Sequence, residues 1–238
     1  MSSHTYKTFA PFGDFERFSL MGPGTSRFPI KENPKVFLKK HLSQKTFEKL
    51  DEFQKQLRKW NRGTQLVSKS TLDFMWSRHI LDSAQLYPLI SKGDNNSVVD
   101  IGTGGGFPGI VLACIASDLA PKDFFYLVEP NTFKSTFLRV VSNKLGLHTF
   151  PPFTRIENMR FPDGVDFITA RAVARLNILL EWSEKHLKKE GKGLFLKGKS
   201  VDREIQEALR EWQFDYTKLP SWTSKDGTVL VVENIRKK

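Results

Sequence analysis

Apolar residues recur at helical spacing in the stretch between residues 34 and 90. One stripe has members three or four positions apart, which places them on a single helix face; they are Phe47, Leu50, Phe53, Leu57 and Trp60. The sequence from Asn61 to Gly63 is expected to end this helix. A second helix is predicted over residues 72–89, so this part of the chain is expected to be helical.

The pattern changes after residue 93, where short apolar runs alternate with amphipathic stretches. Strands are predicted at 98–101, 124–128, 165–169 and 194–196, and helices at 107–119, 132–145, 176–187 and 202–212. Strands that alternate with helices form a parallel sheet covered on both faces. The last two predicted strands, 214–219 and 228–233, have a turn signal between them and are expected to pair antiparallel.

These patterns divide the chain into three parts. Residues 1–33 are an N-terminal extension rich in Phe, Pro, Gly and Ser, to which we assign no function. Residues 34–92 are a basic helical segment expected to pack on the core, and residues 93–238 are an α/β domain. The expected fold class is α/β, with a mostly parallel sheet, a C-terminal antiparallel hairpin and an N-terminal helical segment.

Positive charge is concentrated in the helical segment. The chain has a net charge of +11 and a pI near 9.7. Between Lys31 and Lys69 there are 11 Lys/Arg and 4 Asp/Glu, so +7 of that charge lies in this stretch. Clustered basic residues indicate contact with phosphate more strongly than the total charge does. A nucleic acid is the expected partner, and a generally basic surface is the alternative.

Composition excludes several kinds of site. Cys114 is the one cysteine, so no internal disulfide forms, and no Cys/His set has zinc spacing, so we expect no metal. The N-terminus lacks the basic region and apolar stretch of a signal peptide. No apolar run reaches the roughly 18 residues that a membrane span needs. We therefore expect a monomeric cytoplasmic protein with no membrane contact.

A glycine-rich loop is the sharpest local signal in the sequence. The stretch DIGTGGGFPGI, Asp100 to Ile110, follows an apolar strand and opens a predicted helix. Glycines allow a tight turn and let a ligand approach the backbone. Glu129 ends the next strand, 20 residues past Gly109. A carboxylate in that place can accept hydrogen bonds from both ribose hydroxyls of a nucleoside.

A dinucleotide is one candidate ligand for this loop. Gly104, Gly106 and Gly109 match the spacing of the NAD-binding fingerprint. Pyrophosphate, however, needs bare backbone and free N–H groups at the helix start. Phe107 is bulky and Pro108 has no N–H to donate, so the chemistry of the loop counts against a dinucleotide.

S-adenosylmethionine is the second candidate and fits the loop better. Asp100 adds a negative charge beside the loop, which repels phosphate and suits a positive ligand. S-adenosylmethionine has no phosphate and carries a sulfonium and an ammonium group. Asp100 and Gly102 are then expected to face its methionine end, and Glu129 its ribose. NAD, and a glycine-rich turn without any ligand, stay open as alternatives.

Seven stretches of the chain resemble a known family. In chain order they are WNRGTQLVS from Trp60, RHILDS from Arg78, DIGTGGGFPGI, LVEPNTFKSTFL from Leu127, RIENM from Arg155, TARAVARL from Thr169 and FLKGK from Phe195. They are similar to the ribosomal RNA small subunit methyltransferase G family, also called glucose-inhibited division protein B. The resemblance covers about residues 45 to 236, and RHILDS together with the glycine loop is highly specific.

The resemblance implies a fold, a cofactor and a substrate. The fold is a Rossmann-like class I methyltransferase domain with a helical N-terminal part, and the cofactor is S-adenosyl-L-methionine. The substrate is a guanine of 16S rRNA, in free RNA or in the small ribosomal subunit, methylated at N7. The family's cofactor contacts fall on Gly102, Phe107, Ile156 with Glu157 beside the adenine, and Arg171 at the end of the fourth strand. Departures include Gln65 in place of Asn, Pro130 in place of Ser, and a longer N-terminus.

The residues also bear on which atom is methylated. Methylation at C5 of a pyrimidine needs a cysteine nucleophile, and Cys114 lies in an apolar helix where a buried thiol is expected. Pro151-Pro152-Phe153 resembles the loop used for exocyclic amines, but it precedes the fourth strand and is interpreted as an ordinary loop. Guanine N7 has a free lone pair and needs no base. Arg171 is therefore assigned to cofactor or phosphate contact, as a hypothesis.

Four basic residues are candidates for positioning or RNA contact. His79 is expected to bond to Asp82 or to backbone, with a structural role favoured over direct catalysis. Arg78 is a candidate contact to RNA phosphate, and Lys197 and Lys199 follow the fifth strand at the cleft edge. An NAD-dependent oxidoreductase and a non-catalytic RNA-binding protein are the alternative functions.

Overall fold

The computed structural model describes residues 29–90 and 95–238, which include a seven-stranded sheet of order β3-β2-β1-β4-β5-β7-β6. The strands are β1 Ser97–Ile101, β2 Phe124–Val128, β3 Thr149–Phe150, β4 Val165–Arg171, β5 Leu187–Lys197, β6 Trp212–Pro220 and β7 Thr228–Lys237. Strands β1 to β5 are parallel, and β7 pairs antiparallel with both β5 and β6. The predicted parallel sheet with a C-terminal antiparallel hairpin is confirmed.

Six regular helices flank the sheet in the described residues. They are α1 Pro34–His41, α2 Gln44–Trp60, α3 Gly109–Leu119, α4 Thr132–Leu145, α5 Leu176–His186 and α6 Val201–Ala208. Polar side chains satisfy free N–H groups at their starts: Ser43 Oγ accepts from Thr46 N–H at 3.1 Å, and Asn131 Oδ1 accepts from Lys134 N–H at 3.1 Å. Gly146, with φ of 59°, ends α4 in the left-handed conformation.

Two apolar cores cover the two faces of the sheet. In the first, Phe53 of the helical segment is buried in the same cluster as Ile110 of α3 and Phe137 of α4. In the second, Leu180 of α5 packs with Ile205 of α6. The helices on both faces keep the parallel strands out of water, as such strands require, and they fix the strand ends at which the functional site forms.

The segment predicted as one helix over 72–89 differs from expectation. It is a 3₁₀ stretch at Lys69–Phe74, a π-helix at Met75–Leu81, a short α turn at Asp82–Ala84 and a 3₁₀ turn at Tyr87–Leu89. Pro88 lacks the N–H that a continuous helix would use. π-helical turns are often found at functional sites, and this one contains the sequence RHIL of the family motif.

Other predicted boundaries also differ from those in the structure. Strand β5 begins at Leu187 rather than at 194, and α6 ends at Ala208 because Trp212 already begins β6. Strand β3, which has two residues, was not predicted. Most of the N-terminal extension, residues 1–28, and the turn at 92–94 lie outside the described residues. No helix in the described part is long and apolar enough to cross a membrane.

Candidate functional site

A cleft of about 790 Å³ opens at the carboxyl ends of the central strands. Its lining comes from the glycine loop after β1, the residues after β4 and β5, the π-helical segment, and the loop between β6 and β7. Ligands of open α/β sheets bind at this edge, and the volume lies within the range of small-molecule sites. Of the residues predicted from the sequence, it brings together Arg78, His79, Gly102, Gly104, Phe107, Arg171 and Lys197.

The glycine loop needs glycine for its shape. Gly102, Gly104 and Gly106 have φ values of 62°, 58° and 97°, which side chains with a Cβ rarely adopt. A Cβ built on Gly102 would lie 2.4 Å from Cγ2 of Val173, in the segment that follows β4. The glycine loop and the segment after β4 are therefore in direct contact at the cleft.

Most N–H groups of the loop are already used inside the protein. Gly102 donates to Val128 O at 2.9 Å, Gly106 and Phe107 donate to Thr103 O, and Gly109 donates to Asp100 Oδ2 at 2.8 Å. A pyrophosphate needs such groups free at the helix start. The geometry thus counts further against a dinucleotide and leaves the loop suited to a ligand without phosphate.

Asp100 lies beneath the glycine loop and is not among the residues that line the cleft. Its side chain is fully buried, with Oδ2 accepting from Gly109 N–H and Oδ1 accepting from Thr169 Oγ1 at 2.9 Å. Burial raises the pKa of Asp100 to about 6. Asp100 therefore satisfies the first N–H group of α3 and shapes the loop, and its expected contact with the methionine end of the cofactor stays a prediction.

The burial of Asp100 predicts a pH-dependent stability. Since its folded-state pKa of about 6 lies above the ordinary 3.8, its contribution is fully present below about pH 3.8 and is lost as the pH rises through about 6. Relative to wild type, Asp100→Asn should therefore gain about 2 kcal/mol of unfolding free energy between pH 4 and pH 7. Urea unfolding of both proteins at the two pH values measures the difference. A difference that is the same at both would contradict the raised pKa.

Glu129 joins the glycine loop to the end of β2. Its Oε2 accepts from Gly104 N–H at 2.9 Å and its Oε1 accepts from Asn131 N–H at 2.9 Å. A carboxylate has about four acceptor positions, so two bonds leave capacity for ribose hydroxyls. The two residues expected beside the adenine, Ile156 and Glu157, have different environments. Ile156 is buried in the core with Val128, and Glu157 is exposed in a short 3₁₀ turn.

Arg171 ends β4 and is held by acceptors from the π-helical segment. Its Nη1 donates to Arg78 O at 2.7 Å and lies 3.6 Å from Asp82 Oδ2. Its Nη2 donates to His79 Nδ1 at 2.8 Å, and its guanidinium lies 5.1 Å from the ring centre of Phe107. The planar group is fixed by several partners at once, so its orientation toward the cleft is set before any ligand enters.

His79 has a different hydrogen-bond partner from those expected. The ring was expected to bond to Asp82 or to backbone, but its Nδ1 accepts from Arg171. Burial, together with the nearby Arg171 and Arg78 charges, lowers the pKa of His79 to about 3. The imidazole is therefore neutral at physiological pH, with its proton on Nε2, because Nδ1 must keep its lone pair for the guanidinium.

The other basic candidates occupy different environments. Arg78 is exposed at the cleft. The Lys197 side chain is only 8% exposed, and its Nζ lies 2.5 Å from Glu204 Oε2, so its charge is already paired. Lys199 is 79% exposed and has one loose ion pair, 3.3 Å from Asp226 Oδ2. Of the two lysines, Lys199 is the one accessible to a phosphate.

Two further expectations concern the rejected reaction types. Cys114 is buried in α3, and burial raises the pKa of its thiol to about 12, so it is a core residue as predicted. The Pro151–Phe153 stretch is a loop before β4, in which Phe153 forms a single bridge with Glu129. Among the described residues no group of acidic, histidine or cysteine side chains could hold a metal ion.

Sequence reasoning missed Asp82 as a site residue, and it also missed Val173 and Thr223. All three line the cleft. Asp82 belongs to the RHILDS stretch, which was recognised, so the signal for it was present. Thr223 lies in a loop with no motif, and only its contact across 141 residues of sequence identifies it.

A model of one protein family matches most of the chain. That family is described as rRNA small subunit methyltransferase G, and it matches residues 46–231. A ribosomal RNA small subunit methyltransferase G from Ruegeria pomeroyi is 38% identical over 195 residues, covering 82% of this chain and 94% of that protein. The protein of the same name from Cereibacter sphaeroides is 40% identical over 189 residues, covering 79% and 91%.

Solved structures agree on the fold. A SAM-dependent methyltransferase from Aquifex aeolicus has a TM-score of 0.53 at 17% identity, covering 74% of this chain and 97% of that one. A SAM-dependent O-methyltransferase from Thermotoga maritima has a TM-score of 0.52 at 13% identity, covering 82% and 73%. At these identities the similarity shows a Rossmann-like methyltransferase fold and nothing finer.

Proposed function

Because the chain belongs to the ribosomal RNA small subunit methyltransferase G family, we propose that it methylates N7 of a guanine in the 16S rRNA of the bacterial small ribosomal subunit. Its cofactor is S-adenosyl-L-methionine, which supplies an electrophilic methyl group when bound. The RNA is presented either free or within the small subunit, and the basic segment from Lys31 to Lys69 is suited to contact its phosphates.

The lack of a free base among the described residues of the cleft favours N7 as the target. Among the described residues that line the cleft, Asp82 faces Arg171, Glu204 is paired with Lys197, and His79 Nδ1 accepts from Arg171. None of these three side chains is left to remove a proton. An exocyclic amine or a hydroxyl must lose a proton during methylation. Guanine N7 has its lone pair available and needs only in-line placement.

The residues around the glycine loop are suited to hold the cofactor. Most N–H groups of the loop already donate within the protein, and the carboxylate of Glu129 has capacity for ribose hydroxyls, which supports a nucleoside without phosphate. The residues that we propose as cofactor contacts are Gly102, Gly104, Phe107, Glu129, Ile156, Glu157 and Arg171, with Asp100 acting through the loop. Arg171 and His79 are proposed to position the reactants rather than to exchange protons, and Arg78 and Lys199 to contact the RNA. Lys197 lines the cleft with its charge paired to Glu204, so its proposed part on the RNA side is to hold the cleft edge.

Methyl transfer to ribosomal subunits tests this function. Small subunits from cells that lack the enzyme, given S-adenosylmethionine labelled in its methyl group, should gain label in 16S rRNA as 7-methylguanosine. Nuclease digestion and mass spectrometry identify the modified nucleoside, and sequencing locates it. Label on another base would disprove N7, and no transfer to either naked 16S rRNA or subunits would disprove the function. Calorimetry should show binding of S-adenosylmethionine and none of NAD, and a protein that binds RNA without transferring methyl would match the non-catalytic alternative.

A further inference from the structure

The loop between β6 and β7, residues 221–227, contains none of the residues proposed to contact the cofactor or the RNA. Ser221, Thr223, Ser224 and Gly227 of this loop line the cleft. In the sheet order, β7 lies beyond β4 and β5, whereas Glu129 lies at the end of β2 on the other side of β1. The loop therefore borders the part of the cleft that the cofactor-binding residues leave open.

Two long-range hydrogen bonds attach this loop to the short α turn that follows the π-helix and to the residue after that turn. Thr223 Oγ1 donates to Asp82 Oδ1 at 2.7 Å, and Trp222 N–H donates to Gln85 Oε1 at 2.8 Å. Gln85 Nε2 also donates to Asp82 Oδ1 at 2.8 Å. This bond holds the side chains of Asp82 and Gln85, the two acceptors, in place relative to each other. The loop is thus held by side chains from a distant part of the chain.

The two oxygens of Asp82 serve different partners. Oδ1 accepts from Thr223 and Gln85, while Oδ2 lies 3.6 Å from Arg171 Nη1. The carboxylate is largely buried, and burial raises its pKa against the opposing effect of these partners. One side chain therefore joins the cofactor side of the cleft, through Arg171, to the loop on its other side.

We propose that Thr223, through Asp82, is a positioning residue that holds the 221–227 loop in the shape that receives the target nucleotide. The inference rests on the proposed function. Thr223 need not touch the reacting atoms, because its contribution is the placement of the loop. Loss of its hydroxyl should raise the KM for the RNA substrate and leave the affinity for S-adenosylmethionine near wild type.

Three variants separate the contact of Asp82 with Thr223 from its contact with Arg171. Thr223→Val keeps the shape and removes the hydroxyl, which bonds to Asp82 and also, within the loop, to Ser221 Oγ at 3.1 Å. Loss of the attachment to Asp82, worth roughly 1 kcal/mol, should raise KM for small subunits about fivefold. Thr223→Ser keeps the hydroxyl and should restore KM. Asp82→Asn keeps an oxygen for Thr223 but loses the charge beside Arg171, so it should weaken S-adenosylmethionine binding and change KM for subunits little. An unchanged KM in Thr223→Val, or the same parameter changed in Thr223→Val and Asp82→Asn, overturns the proposal.

Limited digestion with trypsin measures how accessible the loop is to cleavage in the absence of substrate. Lys225 is exposed within the loop, and cleavage after it should be faster in Thr223→Val than in wild type or Thr223→Ser. Faster cleavage with an unchanged KM would show an attached loop that does not position RNA, which contradicts the inference. If wild type transfers no methyl group to subunits, the proposed function fails, and the digestion still reports whether Thr223 holds the loop.

Discussion

Arg171→Ala should lower kcat/KM by about 10- to 150-fold, because a hydrogen bond to a charged group is worth roughly 1.5–3 kcal/mol. The substitution leaves His79 Nδ1 and Asp82 Oδ2 facing the cleft without their cation. It also removes the guanidinium that lies over the Phe107 ring. We expect the loss to appear in the affinity for S-adenosylmethionine or in turnover, measured by calorimetry and by initial rates of methyl transfer.

The controls for Arg171 separate charge, shape and stability. Arg171→Lys keeps the charge but loses the planar fork, so it should recover only part of the activity. Arg203→Ala removes an exposed arginine whose partner, Glu207, lies one helical turn away, and it should leave activity and melting temperature unchanged. Melting temperatures of all three variants show whether the Arg171 site still folds. Wild-type kinetics in Arg171→Ala would remove the residue from the site.

Most of the α/β domain could be predicted because its local signals agree. Strand β2 and helix α4 were predicted with the bounds that the structure has, since an apolar run and a clear helical period mark them. Strand β5 was predicted too short because its first half contains Lys188, Lys189 and Glu190, which carry no apolar alternation. Only Leu187 of that half pairs with β4, opposite Val165 and before a register shift. The start of the strand is therefore set by a tertiary contact and not by the local pattern.

The site could be predicted where its residues are contiguous in the sequence. It could not be predicted where contacts join residues that are far apart in the sequence. The glycine loop follows β1 directly, so its place at the strand end followed from the sequence alone. Asp100 lies in a strand buried along nearly its whole length, where no alternation shows which way a side chain points. The bond between Arg171 and His79 joins positions 92 residues apart, and no spacing rule reports such a contact.

The shape of the glycine loop and the segment after β4 depend on each other. Ala172 has a φ of 55°, unusual for a residue with a Cβ, and it directs Val173 onto Gly102. Such strain is retained where the surrounding structure fixes it, and it is common at functional sites. The absence of a side chain at Gly102 is therefore what allows Arg171, Val173 and the loop to border one cleft.

Gly102→Ala should weaken S-adenosylmethionine binding by more than about 30-fold. The left-handed φ of 62° costs a residue with a Cβ about 1–2 kcal/mol, and crowding against Val173 at 2.4 Å adds about 1–3 kcal/mol. Calorimetric titration measures the loss, and Gly63→Ala is the matched control, since a Cβ there meets nothing within 4 Å. The double variant Gly102→Ala with Val173→Ala removes the 2.4 Å contact and leaves the Cβ of residue 173 at 3.1 Å. It relieves most of the crowding but not the backbone strain, so it should recover part of the affinity. Full affinity in Gly102→Ala would mean that the loop does not bind the cofactor as proposed.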